Sequence, residues 1–437
     1  MINRRSVLAG AAALAATPAF AGKPVLKPFN PAFPKGFLWG AATAGHQIEG
    51  NNSNADSWAL ENIKPSIYAE PSRDACNSFE LWATDLDLVK AMGLTAYRFS
   101  LEWPRIEPEE GQFSIAMLDH YKAIIEGCRA RGLTPVVTFN HYTTPRWFAA
   151  KGGWTNPQSP TCFARFCERA AKHLAAQIGY ATTLNEPNIM NILKVVLPPQ
   201  VMAAQRAMLE AAARAHGSAK FSAGNAIDMD DINTTTKNLI AGHKAARGAI
   251  KSVRPDLPVG VSLSMFDDQA VGKNSIRDGM RGLLYGPWLD AVRGDDFLGV
   301  QNYERQVWGE TGKLPIPAHA TLSVTGAEIY PASLANSVRY AHQATGCPIM
   351  VTEHGVAVED DSIRARTIPA ALHDLKLVMD DGVPVLGYVH WSLLDNFEWI
   401  FGYRIHYGLH SVDPVTFARK AKPSAAVYGR IAQANSL

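Results

Sequence analysis

Two glutamates in this chain end apolar runs instead of lying on polar faces. One closes Tyr180-Ala181-Thr182-Thr183-Leu184-Asn185-Glu186, just before Pro187; the other closes Ile349-Met350-Val351-Thr352-Glu353. A proline disfavours the helical region for the residue before it, so Glu186 is expected on extended or turning chain at the end of a short buried strand. Two carboxylates that face each other beside aromatic platforms suit cleavage of a glycosidic bond. One protonates the leaving oxygen and the other meets the developing cation. Pairing with a scaffold arginine would explain either glutamate alone. The pair, with His141, Asn185, Trp391 and Trp399 alongside, favours the chemistry.

Such an arrangement needs elements that bring distant run ends to one place. Short β-rich runs recur at 36–43, 96–101, 135–140, 180–185, 259–265, 297–303, 349–353 and 386–392, with helical patterns between many of them, as at 79–92, 115–131, 162–177 and 238–253. Several runs are almost wholly apolar before their polar last residues, as strands buried on both faces are. Eight strand–helix units without a linker, repeat or composition break predict an α/β fold, a single (β/α)8 TIM barrel over residues 34–437. An open doubly wound sheet is the structural alternative, but no glycine-rich phosphate loop follows any run. In a barrel, catalytic groups belong at the C-terminal strand ends. Gln47, Arg98, His141, Asn185, Glu186, Tyr303, Glu353 and Trp391 all fall within or just beyond the runs, forming a polar and aromatic ring on one rim.

Composition sets the remaining bounds. The 437 residues are 47% hydrophobic and 19% charged, enough for a large core. The formal charge of +2 equals the contribution of Arg4 and Arg5, so the rest of the chain is near neutral and gives no reason to expect nucleic acid or another polyanion as partner. Residues 1–21 read as an export signal: Arg4-Arg5 precede an apolar run, and Ala19-Phe20-Ala21 has the form of a cleavage site. The paired arginines suggest the twin-arginine route and a bacterial periplasmic location. Residues 22–33 read as an extended proline-rich arm. No later run reaches the ~20 apolar residues that cross a bilayer, so no stable membrane insertion is expected. The cysteines at 76, 128, 162, 167 and 347 are odd in number and never form CxxC, so buried free thiols are expected rather than a metal or disulfide framework. The sequence holds no HExxH, Walker A, GxSxG or EF-hand motif, and neither metal nor cofactor is expected.

From about residue 33 to residue 428 the chain resembles glycoside hydrolase family 1, the β-glucosidase family. The resemblance rests on Phe37-Leu38-Trp39-Gly40-Ala41-Ala42-Thr43-Ala44-Gly45-His46-Gln47-Ile48-Glu49-Gly50, on Tyr97-Arg98-Phe99-Ser100-Leu101-Glu102-Trp103-Pro104-Arg105-Ile106, and on Asn140-His141-Tyr142-Thr143-Thr144-Pro145-Arg146-Trp147. The Asn-Glu-Pro at 185–187 and His390-Trp391-Ser392-Leu393-Leu394-Asp395-Asn396-Phe397-Glu398-Trp399 complete it. The resemblance implies Glu186 as general acid/base and Glu353 as nucleophile of a retaining mechanism, with carboxyl groups ~5–5.5 Å apart. It implies Arg98 and Tyr303 as partners of the nucleophile, Asn185 as the group that binds the sugar 2-hydroxyl, and Gln47, His141, Trp391, Glu398 and Trp399 as the rest of the sugar site. Glu398 stands where members acting on 6-phosphorylated sugars usually replace the acid, so an unphosphorylated small-molecule β-glycoside is expected, glucoside before galactoside or fucoside.

The chain departs from the family at His354 beside the nucleophile, where asparagine is usual, at Gln301-Asn302-Tyr303, and at Tyr142. It departs most at 189–197, an apolar stretch in place of a glycine-rich loop, which would suit a hydrophobic aglycone or, equally, a helix packed on its neighbours or a chain contact. Passing the sugar to an alcohol instead of water (a transglycosidase), and a barrel that holds sugar without cutting it, are the alternative readings. A homo-oligomer stays open.

Overall fold

The computed structural model describes residues 29–437, so the expected export signal lies outside the described residues. Residues from Pro31 to Leu437 form one compact unit. Its centre is eight parallel strands: β1 (Leu38–Ala42), β2 (Ala96–Ser100), β3 (Thr134–Asn140), β4 (Tyr180–Asn185), β5 (Val259–Ser264), β6 (Leu298–Asn302), β7 (Ile349–His354) and β8 (Val385–Trp391). They pair in sequence order, and β1 also pairs with β8, with Gly40 opposite both Ala96 and Val389, so the sheet closes into a barrel. Closure leaves no free edge in this sheet. It also explains the nearly continuous apolar runs: each strand is covered outside by helices and inside by its neighbours, and almost every strand residue is buried.

Helices between the strands form the outer layer. Those at Ser159–Leu174 and Ile232–Val253 pack against each other, as do Ala332–Thr345 with Asp361–Asp380 and Asp361–Asp380 with Pro423–Ala434. The helix expected at 238–253 begins earlier, at Ile232, because Asp228 accepts a bond from the Asp230 amide and starts a helical turn that runs on into it. Phe33, which the sequence reading assigns to the extended arm, is buried against Phe37 and Trp39, with ring centroids 4.9 and 4.7 Å away. Its amide donates to the Asn435 carbonyl at 2.9 Å, and Trp39 Nε1 donates to Asn435 Oδ1 at 2.9 Å, so the two ends of the compact unit are fastened together under β1. A short parallel pair, Asp267–Ala270 with Arg305–Trp308, stands outside the barrel after β5 and β6. Its polar sequences carry too little alternation to be read as strands in advance.

All five cysteines are free; four are buried as expected, and Cys162 is half-buried. No helix among the described residues is long and apolar enough to cross a membrane.

Candidate active site

The C-terminal strand ends meet around a cavity of about 300 Å³. Gln47, His141, Asn185, Glu186, Tyr303, Glu353, Trp391, Glu398 and Trp399 all line it. Arg98 lies beneath, on β2, fully buried. A larger cavity of about 670 Å³ lies elsewhere on the surface, beside Asp395 and Lys422, and contains neither glutamate.

Two register shifts aim the site. The β4–β5 ladder slips between Thr182 and Asn185, and the β6–β7 ladder slips between Val300 and Gln301, which brings Gln301 opposite Glu353. Irregularities of this kind re-aim side chains, here at the positions whose polar groups must converge. Gly355, directly after β7, sits so close to the Trp391 carbonyl that any side chain would collide with it.

Glu186 itself adopts a left-handed backbone with φ of 41°, so the chain turns there instead of running on extended. This conformation costs of order 1–3 kcal/mol for a residue with a side chain and persists only when its surroundings impose it. They do. The Glu186 amide donates to the Ser262 carbonyl at 2.8 Å, and its carbonyl accepts from the Ile189 amide at 2.9 Å. Two residues on, fully buried Asn188 donates to the Ser264 carbonyl at 2.8 Å and accepts from the Ser264 amide at 3.1 Å. Asn188 thus staples the acid-bearing turn to β5.

The two carboxylates have unequal surroundings. Arg98 Nη1 donates to Glu353 Oε1 at 2.6 Å, and the Tyr303 hydroxyl donates to Oε2 at 2.5 Å. Burial raises the Glu353 pKa above the usual carboxylate value, and Arg98 and Tyr303 act against that rise. Glu186 accepts a short bond from the Tyr142 hydroxyl and has no cation in contact among the described residues. Burial first, then the charge of Glu353, pushes its pKa up to about 8. One proton shared by the pair therefore resides on Glu186, and Glu353 carries the charge.

Asn185 is fixed from three sides. Its Oδ1 accepts from Arg98 Nη2 at 2.6 Å and Gln301 Nε2 at 2.8 Å, and its Nδ2 donates to His141 Nε2 at 3.2 Å. Burial and the nearby Arg98 hold the His141 pKa well below the ordinary histidine value, so the ring is neutral. Gln47 Nε2 donates to the Phe397 carbonyl at 2.8 Å and Asn396 Oδ1 at 3.0 Å; Trp391 Nε1 donates to Glu398 Oε1 at 3.2 Å. His141 Nδ1 and Gln47 Oε1 are buried and find no partner among the described residues. Buried polar atoms rarely go unpaired, and here two of them belong to residues lining one cavity, as a hydroxyl-rich ligand would require. Ile189, Met190, Leu193, Ile400 and Phe401 form the apolar part of the wall.

The apolar stretch at 189–197 folds as the helix Ile189–Val196, followed by a second helix, Pro199–Ala215. His354, which the sequence places beside the nucleophile, does not reach the cavity. Its Nδ1 pairs with the Tyr388 hydroxyl at 2.8 Å, and burial pushes its pKa down to about 4. Tyr142 is the partner that residue types alone miss: its left-handed backbone, φ 69°, turns its hydroxyl to Glu186, and its carbonyl lies where any side chain on Gly224 would collide. Tyr407 and Asn225 also line the cavity without a motif to announce them. No group of His, Cys, Asp and Glu suited to a metal ion occurs among the described residues.

A closed eight-stranded parallel barrel with paired acids at the ends of β4 and β7 defines the class of barrel glycosidases. Residues 29–269 and 305–437 match the profile described as glycosyl hydrolase family 1, and the chain belongs to that family and is a glycoside hydrolase. It is 29% identical to a beta-glucosidase of Agrobacterium sp. (strain ATCC 21400), over 92% of this chain and 95% of that one. It is 25% identical to a beta-galactosidase of Pyrococcus woesei, over 93% and 98%. Among solved structures it is similar to an apo beta-glucosidase at 39% identity and a TM-score of 0.88, covering 91% of this chain and 98% of that one.

Proposed function

We propose that the chain is a retaining β-glycosidase that hydrolyses unphosphorylated β-D-glucosides, with Glu353 as nucleophile and Glu186 as acid and then base. The observation that carries this is the unequal pair: of the two carboxylates Arg98 contacts Glu353 and not Glu186, and Glu186 is held protonated to about pH 8. In the first step a Glu353 oxygen attacks the anomeric carbon, and the Glu186 proton passes to the glycosidic oxygen as that bond breaks. The product alcohol leaves and the sugar is esterified to Glu353. With Glu353 now neutral, the charge that raised the Glu186 pKa is gone, so Glu186 ionises and takes a proton from water. The resulting hydroxide equivalent attacks the anomeric carbon and displaces the Glu353 carboxylate, giving β-configured sugar and both carboxyl groups in their starting states.

Asn185, held by Arg98 and Gln301, presents its amide toward the 2-hydroxyl, where hydrogen bonds strengthen in the transition state. Trp391 offers an apolar face to the ring. Among the described residues the cavity is lined by three glutamates and by no lysine or arginine, so a phosphorylated sugar finds no balancing charge there. The Agrobacterium relative supports a glucoside; the Pyrococcus relative makes the C4 epimer the natural competitor. The wall of Ile189, Met190, Leu193 and Phe401 suits an apolar aglycone. Export to the periplasm through residues 1–21 completes the reading.

The test is incubation with 4-nitrophenyl β-D-glucoside, following nitrophenol release and the anomer first formed by NMR. Release of β-glucose supports the proposal. A folded enzyme that releases α-glucose, or nothing, sinks it.

A further inference from the structure

Behind the sugar pocket lies a buried layer that the proposed reaction does not use. His46, on the short helix Gly45–Ile48, stacks on Trp399 with ring centroids 5.7 Å apart and planes 7° from parallel. Trp399 is parallel to His141 (6.4 Å, 9°), and His141 is nearly parallel to Trp391 (5.7 Å, 17°). Of these four rings, His46 alone does not line the cavity. It is the end of the stack, and that end is pinned. His46 Nε2 pairs with Glu61 Oε1 at 2.7 Å, both side chains having no solvent exposure. Asn52 Nδ2 donates to His46 Nδ1 at 3.2 Å, so the ring proton lies on Nε2 and faces Glu61. The other Glu61 oxygen accepts from the Ser72 amide at 2.8 Å and the Ser72 hydroxyl at 2.7 Å.

The same layer reaches the far wall of the pocket. Glu102 accepts from the His46 amide at 3.0 Å, from Asn52 at 2.7 Å and from the Thr143 hydroxyl at 2.6 Å, two residues beyond His141. Trp399 is held in its turn by its backbone, with its carbonyl accepting from the Gly402 amide at 3.0 Å. It lies in a tight turn with φ of 51°, half-buried, followed directly by half-buried Ile400 and exposed Phe401. That turn sets the Cα, and the rings of His46 and His141 on either side bracket the plane of the indole.

We infer that His46, clamped by Glu61, is a positioning residue that sets Trp399 against the sugar and thereby tunes discrimination at the hydroxyls that Trp399, Gln47 and Glu398 face. The inference rests on the reading that Trp399 touches sugar, and it assigns no chemical step to His46.

The test compares wild type with His46→Leu, Glu61→Leu, the double variant and Glu61→Gln, on 4-nitrophenyl β-D-glucoside and its C4 epimer, the β-D-galactoside. His46→Leu is expected to raise KM for the glucoside about tenfold with kcat within about threefold, and to lower the glucoside-to-galactoside ratio of kcat/KM at least about fivefold. Glu61→Leu should do the same, and the double variant should do no more than either, because both act through one ring. Glu61→Gln can still hydrogen-bond His46 and should recover most of the loss. Should the single variants fail to fold with one buried partner unpaired, the double variant alone carries the expected KM and epimer-ratio change, against a near-wild-type Glu61→Gln. Variants that melt earlier yet keep the wild-type KM and epimer ratio overturn the inference while leaving the proposed function intact. A wild type that turns over neither glycoside overturns both.

Discussion

Replacing Glu186 with glutamine keeps the shape of the site and removes the one proton the first step needs. In the wild type, kcat/KM for a substrate with a poor leaving group, such as an alkyl β-glucoside, is expected to hold up to about pH 8 and fall above it as Glu186 ionises. General-acid help is worth roughly 10²–10⁴-fold, so Glu186→Gln should lose that much on the alkyl glucoside. On 2,4-dinitrophenyl β-glucoside, whose leaving group departs without a proton, kcat/KM should change little, while kcat falls because the second step has lost its base. The alkaline limb near pH 8 should vanish from the variant. Stability offers an independent reading. The folded pKa of about 8 stands above the ordinary 4.5, so the wild type loses stability relative to the glutamine variant as pH rises through that window. The two should melt alike near pH 4 and differ by the equivalent of a few kcal/mol above pH 8, with the variant higher. The assays are pH–rate profiles on both substrates and calorimetric melting at both ends of the range. An alkaline limb that survives in Glu186→Gln, or equal losses on both leaving groups, would refute the assignment of the acid.

Three further outcomes follow from particular contacts. Tyr303→Phe removes a hydroxyl that donates to Glu353 at 2.5 Å, so the acid limb of kcat/KM should move to higher pH and kcat should fall about tenfold, checked by pH profiles on the aryl glucoside. His354→Asn should leave the pH profile in place, since His354 faces Tyr388 and is neutral above pH about 4; its effect should show in thermal melting, on the order of 1 kcal/mol. Leu193→Ser removes part of the apolar wall and should raise KM for 4-nitrophenyl β-glucoside about threefold to tenfold while leaving KM for methyl β-glucoside unchanged, measured by paired steady-state assays.

Much of the fold was legible in the chain because a closed parallel barrel writes an unusual signature. Strands buried on both faces read as apolar runs, and polar residues accumulate at one end of each. That logic places Glu186, Glu353, Arg98 and His141 without any coordinates. It could not supply what depends on backbone hand and distant contact. The left-handed turns at Tyr142, Glu186 and Trp399 carry no glycine to announce them. The Asn188 staple to Ser264 crosses to the next strand, and the His46–Glu61 pair joins residues whose separation matches no periodic pattern. The helix Ile189–Val196 is amphipathic, yet nothing in its sequence says which of its faces meets the cavity. The direction in which His354 points was likewise set by Tyr388, thirty-four residues away.

The proposed double displacement requires a covalent bond between Glu353 and the sugar. 2,4-Dinitrophenyl 2-deoxy-2-fluoro-β-D-glucoside slows both steps but keeps a leaving group good enough to let the first proceed, so the esterified enzyme should accumulate. Peptide mapping by mass spectrometry is then the measurement. One fluoroglucosyl group per chain is expected, on the peptide containing Glu353. An intact enzyme that turns over β-glucosides yet carries the label on another residue, or never acquires one, would contradict it.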